Sequence, residues 1–376
     1  MTFSITPHVT EKAEHCLKTT FCAGNQPMTN GRYKAEKPSL TRRHFLADAF
    51  LAPLVLSLSS LIYSCGSRKF DPPQRSKVVR ITNPEASERS GGKDNVNLDG
   101  AAVRKMVEVG IKKFTNRVTV KEAWEEIIPD PDKKVAIKVN CQITGIFTKA
   151  KVVSAVTEGL ITRGVSPSNI IIYDLTDNAF AYAGFKKNSG VGIKVGTCNE
   201  LGGYSWTTWF KTPLPFVGNK FCKVLAGEGA YGCDYLINMP VLKALDGYSG
   251  VSISMKNHFG SISSPDRLHS TIQDSIAMLN AHDLIVKKTR LILVDAIFAE
   301  YKWFNGRDQE TVDVTNQLLF GTDPVAIDSI GWQMIESLRK SHSLKPLEPE
   351  PVFIHKAALE YGLGNDDLKR IDLVDI

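Results

Sequence analysis

The run Val251-Ser252-Ile253-Ser254-Met255-Lys256-Asn257-His258-Phe259-Gly260 sets a cation, an amide and an imidazole side by side before a glycine. Those groups supply charge, hydrogen bonds and a titratable nitrogen, the set needed to hold a carboxylate or phosphate and move a proton beside it. Lys256 and Asn257 are therefore candidate ligand contacts, and His258 is the candidate proton shuttle. A polar loop joining strand to helix, with Asn257 in a turn, is the plain alternative. His269 is close enough in sequence to reach the same rim, although a lone histidine is more often structural.

Four more segments place polar residues directly after apolar runs. Val135-Ala136-Ile137 leads into Lys138 and Asn140, and Ile170-Ile171-Ile172-Tyr173 leads into Asp174 and Asp177. Leu236-Ile237 leads into Asn238, with Lys243 beyond Pro240, and Leu291-Ile292-Leu293-Val294 leads into Asp295. In open α/β sheets the ligand crevice lies beyond the carboxyl ends of the strands, so parallel pairing would bring these ends to one rim. The lysines and asparagines would bind an anion there, while Asp174 and Asp295 would act as acid or base or hold a divalent metal. An Asp or Asn after a strand more often caps a helix or opens a turn. Lys138 is less ordinary, because its charge sits inside an apolar run and must snorkel or pair.

Asp323 precedes Pro324 at the start of an apolar-periodic segment, the pattern of an N-capping carboxylate followed by a proline whose missing N–H costs nothing. It would also aim a helix N-terminus at the rim, which makes Asp323 a further ligand-site candidate. Asp328 lies too deep to cap that helix and is expected to pair with one of the lysines.

These residues need elements to hold them. Strand patterns fit Lys77 to Thr82, Val135 to Val139, Asn169 to Tyr173, Gly192 to Val195, Tyr235 to Asn238, Leu291 to Val294 and Gln317 to Phe320. Helical spacing fits Ala101 to Phe114, Val120 to Ile128, Lys149 to Arg163, Ile272 to Asn280, Val325 to Arg339 and Pro351 to Tyr361. This alternation predicts an α/β fold, a mixed and mainly parallel sheet flanked by helices, in a single large domain over residues 98–376. The irregular stretch Cys198 to Val224, with Trp206, Trp209 and two prolines, reads as an insertion or hairpin over one end of the sheet.

Ahead of that domain, residues 1–40 are polar and aperiodic and read as a disordered or mis-started leader, with Met28 an alternative start. Residues 41–64, opening Thr41-Arg42-Arg43-His44-Phe45-Leu46, have the order of a twin-arginine export signal. Cys65 stands where lipoprotein processing would place a lipidated cysteine, although Tyr63 is larger than the usual residue there. Residues 65–97 then read as a tether with a first strand. The expected location is the periplasm or cell envelope, with membrane contact only through the signal or a lipid on Cys65.

With 46 Lys and Arg against 40 Asp and Glu, a formal charge of +6 is small for 376 residues and gives no reason to expect a nucleic-acid partner. Removing residues 1–64 would bring the body still closer to neutral. Cys141, Cys198, Cys222 and Cys233 remain in that body, as free thiols or as two disulfides. No Cys-x-x-Cys occurs, hence no iron–sulfur cluster or zinc-ribbon motif, and no dinucleotide, P-loop, nucleophile-elbow or zincin signature is present. The residues imply no cofactor beyond the divalent metal considered above.

Taken in order, Lys138-Val139-Asn140, the run 238–243, the run 254–260, Val294-Asp295-Ala296-Ile297 and the run 321–331 resemble the family called domain of unknown function 362, over roughly residues 77 to 340. The resemblance implies the fold and the choice of rim residues, and supplies no substrate. Some members carry ferredoxin-type cysteines, which are missing here. The family commonly has a histidine two residues after the lysine corresponding to Lys243, where this chain has Leu245. The combined expectation is an exported, enzyme-like protein that binds a small anionic ligand. A non-catalytic lipoprotein, using the same crevice or the aromatic segment Tyr204 to Phe210, is the alternative. The oligomeric state is open.

Overall fold

Ten strands pair into one mixed sheet in a computed structural model that describes residues 69–89, 96–212, 218–303 and 309–376. The leader, the twin-arginine segment and Cys65 lie outside the described residues. In chain order the strands are β1 (Ser76–Thr82), β2 (Val135–Lys138), β3 (Ile170–Asp174), β4 (Lys194–Thr197), β5 (Tyr235–Asn238), β6 (Val241–Leu245), β7 (Gly250–Ser252), β8 (Thr289–Glu300), β9 (Val312–Gly321) and β10 (Ile371–Asp375). The sheet order is β10-β1-β9-β8-β5-β2-β3-β4, with β6 on the far half of β8 and β7 beyond β6. Strands β8, β5, β2, β3 and β4 are mutually parallel, so their carboxyl ends share one edge.

β3, Ile-Ile-Ile-Tyr-Asp, is buried throughout, as a parallel strand covered on both faces must be. Alternate residues serve two cores. Ala136, Ile171, Tyr173 and Leu236 face one core, and Val135, Ile137, Ile170, Ile172 and Ile237 face the other. Each such aliphatic side chain contributes about 1.5–3 kcal/mol when fully buried. Helices α1 (Gly100–Thr115), α2 (Val120–Ile127) and α3 (Ala150–Arg163) cover the second face; α4 (Ser254–Asn257), α5 (Ile272–Asn280), α6 (Pro324–Ser341) and α7 (Val352–Leu359) cover the first.

Local chemistry ends these helices where the sequence says it should. Asp99 accepts from the N–H groups of Ala101 and Ala102, Thr119 and Glu122 form a capping box, and Gly164 closes α3 at φ 108°. The segment expected to be a tether is part of the body from Phe70, whose N–H donates to Tyr361 O, and β1 lies inside the sheet between β9 and β10. The irregular stretch after Cys198 contains a two-stranded ribbon, Tyr204–Lys211 with Gly218–Cys222. All four cysteines of the body are free, buried thiols. Among the described residues no helix is long and apolar enough to cross a membrane.

Three strands of the sheet, β6, β7 and β10, are absent from the sequence pattern. Pro240 breaks the run after β5, and the chain resumes as β6 farther along β8, where Val241 pairs with Asp295 and Lys243 with Glu300. β8 is accordingly twelve residues long, serving β5 with its first residues and β6 with its last.

Gly110, inside α1, tests the packing between helix and sheet. Alanine there gains about 1 kcal/mol of helix propensity, but its Cβ would lie 2.3 Å from the Phe320 ring. Gly110→Ala should lose about 1–3 kcal/mol in urea denaturation, overpacking outweighing propensity.

Candidate functional site

The parallel register sets Lys138 beside Tyr173 on one side and Asn238 on the other, at the carboxyl edge of the sheet. Lys138 is 1% exposed, and its ammonium is satisfied rather than snorkelled. Nζ donates to Asp174 Oδ1 at 2.6 Å, Val139 O at 2.5 Å and Asn257 Oδ1 at 3.2 Å. Asp174 also accepts from the backbone N–H groups of Cys141, at 2.5 Å, and Leu175, at 2.7 Å. The ion pair is therefore buried and has donors to spare for its carboxylate, the condition under which such a pair can persist away from water.

Gly260 closes over this pair. A Cβ there would lie 2.6 Å from both Asp174 Oδ1 and Lys138 Nζ, so the close approach of the Phe259–Gly260 turn requires glycine. That turn follows α4, whose first two N–H groups, of Ser254 and Met255, are bound by the carboxylate of Asp328 at 2.7 and 3.1 Å. Asp328 thus pairs with backbone donors and not with a lysine, because α6 points it at the buried first turn of α4, whose N–H groups have no partner within the helix. Burial raises its pKa to about 7, against the opposing effect of those hydrogen bonds.

Amides link the pieces. Lys243 Nζ donates to Asn140 Oδ1 at 3.1 Å, Asn140 Nδ2 to Asn257 Oδ1 at 3.0 Å, Asn257 Nδ2 to Asn238 Oδ1 at 2.7 Å, and Asn238 Nδ2 to Ser254 O at 2.9 Å. Each asparagine is oriented by both neighbours, which makes the chain of hydrogen bonds rigid.

A cavity of about 190 Å³ opens beside this network, lined by Lys138, Asn140, Asp174, Lys243, Lys256 and Asn257 together with Gln142, Ser252, Phe259, His269 and Trp303 among others. Lys243 is buried, its pKa lowered chiefly by desolvation while Glu300 pulls the other way. Lys256 is half-buried, and its Nζ lies 3.9 Å from the centre of the Phe259 ring. The ring favours the ammonium by about 0.5–1 kcal/mol. Burial, with Lys243 and Lys138 close by, acts in the opposite sense and wins, bringing Lys256 down to about 7.

The remaining candidates are elsewhere. His258 does not line this cavity. Its ring is buried beside a second cavity of about 220 Å³, with Asn238, Asn280 and Ile292, and Nδ1 has no hydrogen-bond partner among the described residues. Burial first, and Lys138 second, push it down to about 3, so it is a neutral imidazole at ordinary pH. α4 turns Lys256 and Asn257 toward one cavity and leaves His258 facing the other.

Asp295 is buried within β8, accepts from the N–H groups of Lys149 at 2.8 Å and Ile297 at 3.3 Å, and is raised above its ordinary pKa mainly by burial. Asp323 caps α6 by accepting from Val325 and Ala326, and also accepts from Asn365 N–H and the Ser76 hydroxyl. Neither carboxylate lines the cavity. Asp174 and Asp295 share no donor, and among the described residues no group of three or more His, Cys, Asp or Glu side chains could hold a metal ion.

Glu300 is missed when the strand is ended at Asp295, although the apolar run resumes at once as Ala296-Ile297-Phe298-Ala299 and carries β8 on to Glu300. Gly260 was legible only as a turn residue. His269, expected within reach of the rim, does line the cavity, with Nδ1 at 2.9 Å from Asp266 O.

Fold and site together define a mixed α/β domain with a lysine- and asparagine-lined cavity at the carboxyl edge of its sheet. No curated protein matches the chain. The model of one family, domain of unknown function (DUF362), matches residues 135–333, more than half of the chain, and the chain belongs to that family. The matched region holds every cavity residue named here; β1, α1, α2 and β10 lie outside it.

Two outcomes follow from the geometry. Lys138→Met should cost about 3–5 kcal/mol in chemical denaturation, since it strands a buried carboxylate. Lys287→Met, which removes an exposed pair with Asp283, should cost about 0.3–0.5 kcal/mol. The second concerns pH. His258 titrates below its unfolded value of 6.5, so the folded state resists its protonation and loses stability as pH falls from about 6.5 toward about 3. His258→Asn should flatten that limb of the thermal-stability profile; an unchanged limb would remove His258 from its cause.

Proposed function

We propose that the domain binds a small anion, a carboxylate or phosphate, in the cavity at the carboxyl edge of the sheet and acts on it as an enzyme. The observation that carries this reading is the convergence of Lys138, Lys243 and Lys256 on one cavity whose only lining carboxylate among the described residues, Asp174, is bonded to Lys138. A ligand carboxylate or phosphate would meet Lys243 and Lys256 directly and be oriented by the amides of Asn140 and Asn257. The grouping of the lysines in a concave site favours this over partner capture by the exposed aromatic ribbon around Trp206.

Asp174 sets the charge of Lys138 and is not available as a free base. His269 is the imidazole that faces the ligand space, in place of His258. Export through the segment 41–64, with a lipid on Cys65, would put this chemistry in the periplasm or at the cell envelope.

Inorganic phosphate and small mono- and dicarboxylates, titrated at low ionic strength, should raise the melting temperature of the full chain. At a hundredfold excess over Kd the stabilisation is about 2.7 kcal/mol. Lys243→Met should weaken this by tenfold or more. Equal stabilisation of variant and parent by every anion tested would show that the ligand lies elsewhere.

A further inference from the structure

The three cavity lysines are not equivalent, and the difference lies in their partners. Lys138 Nζ spends its donors on Asp174, Val139 O and Asn257, and Lys243 Nζ donates to Asn140 and faces Glu300. Among the described residues Lys256 Nζ has no hydrogen-bond acceptor or carboxylate; it rests on the Phe259 ring and looks into the cavity. The groups that face it are Lys138 at the end of β2, Asp174 at the end of β3, Lys243 on β6 and His269, with Glu300 behind Lys243. Two cations are thus fixed in place, and one amine is left over.

We infer that Lys256 is a nucleophile for a carbonyl compound, and that the ligand is a small oxo acid whose carbonyl condenses with Lys256 Nζ while its carboxylate is held by Lys243 and the amides of Asn140 and Asn257. The inference rests on the anion-binding reading and names its substrate class. In the step itself the nitrogen lone pair attacks the carbonyl carbon, a C–N bond forms, and the carbonyl oxygen takes up a proton. The carbinolamine then loses that oxygen as water and becomes a protonated imine. Amine, carbonyl and one proton from solvent give iminium and water, the departing oxygen carrying one proton from the amine and one from solvent, with no oxidant or reductant.

Surroundings and step agree. An amine titrating near 7 is substantially neutral, hence nucleophilic, at neutral pH, whereas an exposed lysine near 10.5 is not. The iminium restores the positive charge that the cavity resisted on the free amine, and it does so beside a bound carboxylate. His269 packs edge-on against the same Phe259 ring, with ring centroids 6.3 Å apart, and its Nδ1 faces a backbone carbonyl. Its Nε2 is then the nitrogen that can take the proton released by the attacking amine and return it to the departing oxygen, through water.

The test is reductive trapping. The full chain is incubated with pyruvate or glyoxylate and sodium cyanoborohydride, and the adduct is located by intact mass and peptide mapping. One adduct, on Lys256, is expected, suppressed by inorganic phosphate and weak with acetone, which has the carbonyl but no anion. Its rate in the parent protein should rise with pH about a midpoint near 7. Lys256→Arg, which keeps the charge, should lose the adduct with its melting temperature retained. Adducts spread over exposed lysines, or a midpoint near that of an ordinary lysine, would overturn the assignment. No trapping while phosphate still binds would overturn this inference alone; no trapping and no anion binding would overturn the anion-site reading with it.

Discussion

The Lys138–Asp174 ion pair is the constraint around which the site is built. Two charges at the ends of adjacent parallel strands, 1% and 3% exposed at their side chains, cannot be left without partners, because the cost of desolvation is several kcal/mol for each ion. The surrounding groups are placed accordingly. Backbone N–H groups of Cys141 and Leu175 take the free lone pairs of Asp174, Val139 O and Asn257 take the remaining ammonium protons, and Gly260 admits the turn that seals the pair. Hydrophobic burial builds the sheet, but it has no preference for where the polar ends go. The ion pair supplies that preference.

From the pair outward, the amide chain transmits position to the cavity. Asn257 bridges Lys138 and Asn140, so the orientation of α4 is coupled to the end of β2. The opposite end of α4 is held by Asp328 from α6. A four-residue helix has little stability of its own, and these two attachments replace what its length does not provide. The arrangement also explains how adjacent residues come to serve different cavities. With both ends of α4 fixed, Lys256 and Asn257 are committed to the lysine cavity, and His258 falls on the far side.

Much of this was legible in the sequence, and the part that was not has a physical reason. Apolar runs locate β2, β3 and β5 to within a residue or two, and parallel pairing then brings Lys138, Asp174 and Asn238 to one edge without further information. The buried lysine within an apolar run was itself a signal. Carboxylates are harder to read: the pattern offers Asp295 and Asp323 as site candidates and Asp328 as the partner of a lysine, and in the fold each satisfies backbone donors. Nothing in a one-dimensional pattern separates those uses, because the N–H groups that Asp295 and Asp328 bind come from distant elements. β6 was hidden for a related reason: the shift of pairing at Pro240 is a tertiary event.

Lys256 is the residue for which a structural account is weakest. At a half-buried position against Phe259, methionine would occupy a similar volume and avoid both desolvation and the repulsion from Lys138 and Lys243. Lys138 has a structural use, and Lys243 anchors Asn140, so their charges are accounted for. The charge of Lys256 gains only the Phe259 ring in the ligand-free domain and on balance weakens it below the amine's unfolded pKa of 10.5, with the loss complete once pH has fallen through about 7. A group that costs stability in the empty site and lines the space where a ligand would sit is most simply understood through what it does when that space is filled. On the proposed reading an anion would remove the repulsion, and a carbonyl would use the lone pair that the repulsion exposes. Both would follow from one arrangement, two cations fixed by partners beside an amine that has none among the described residues.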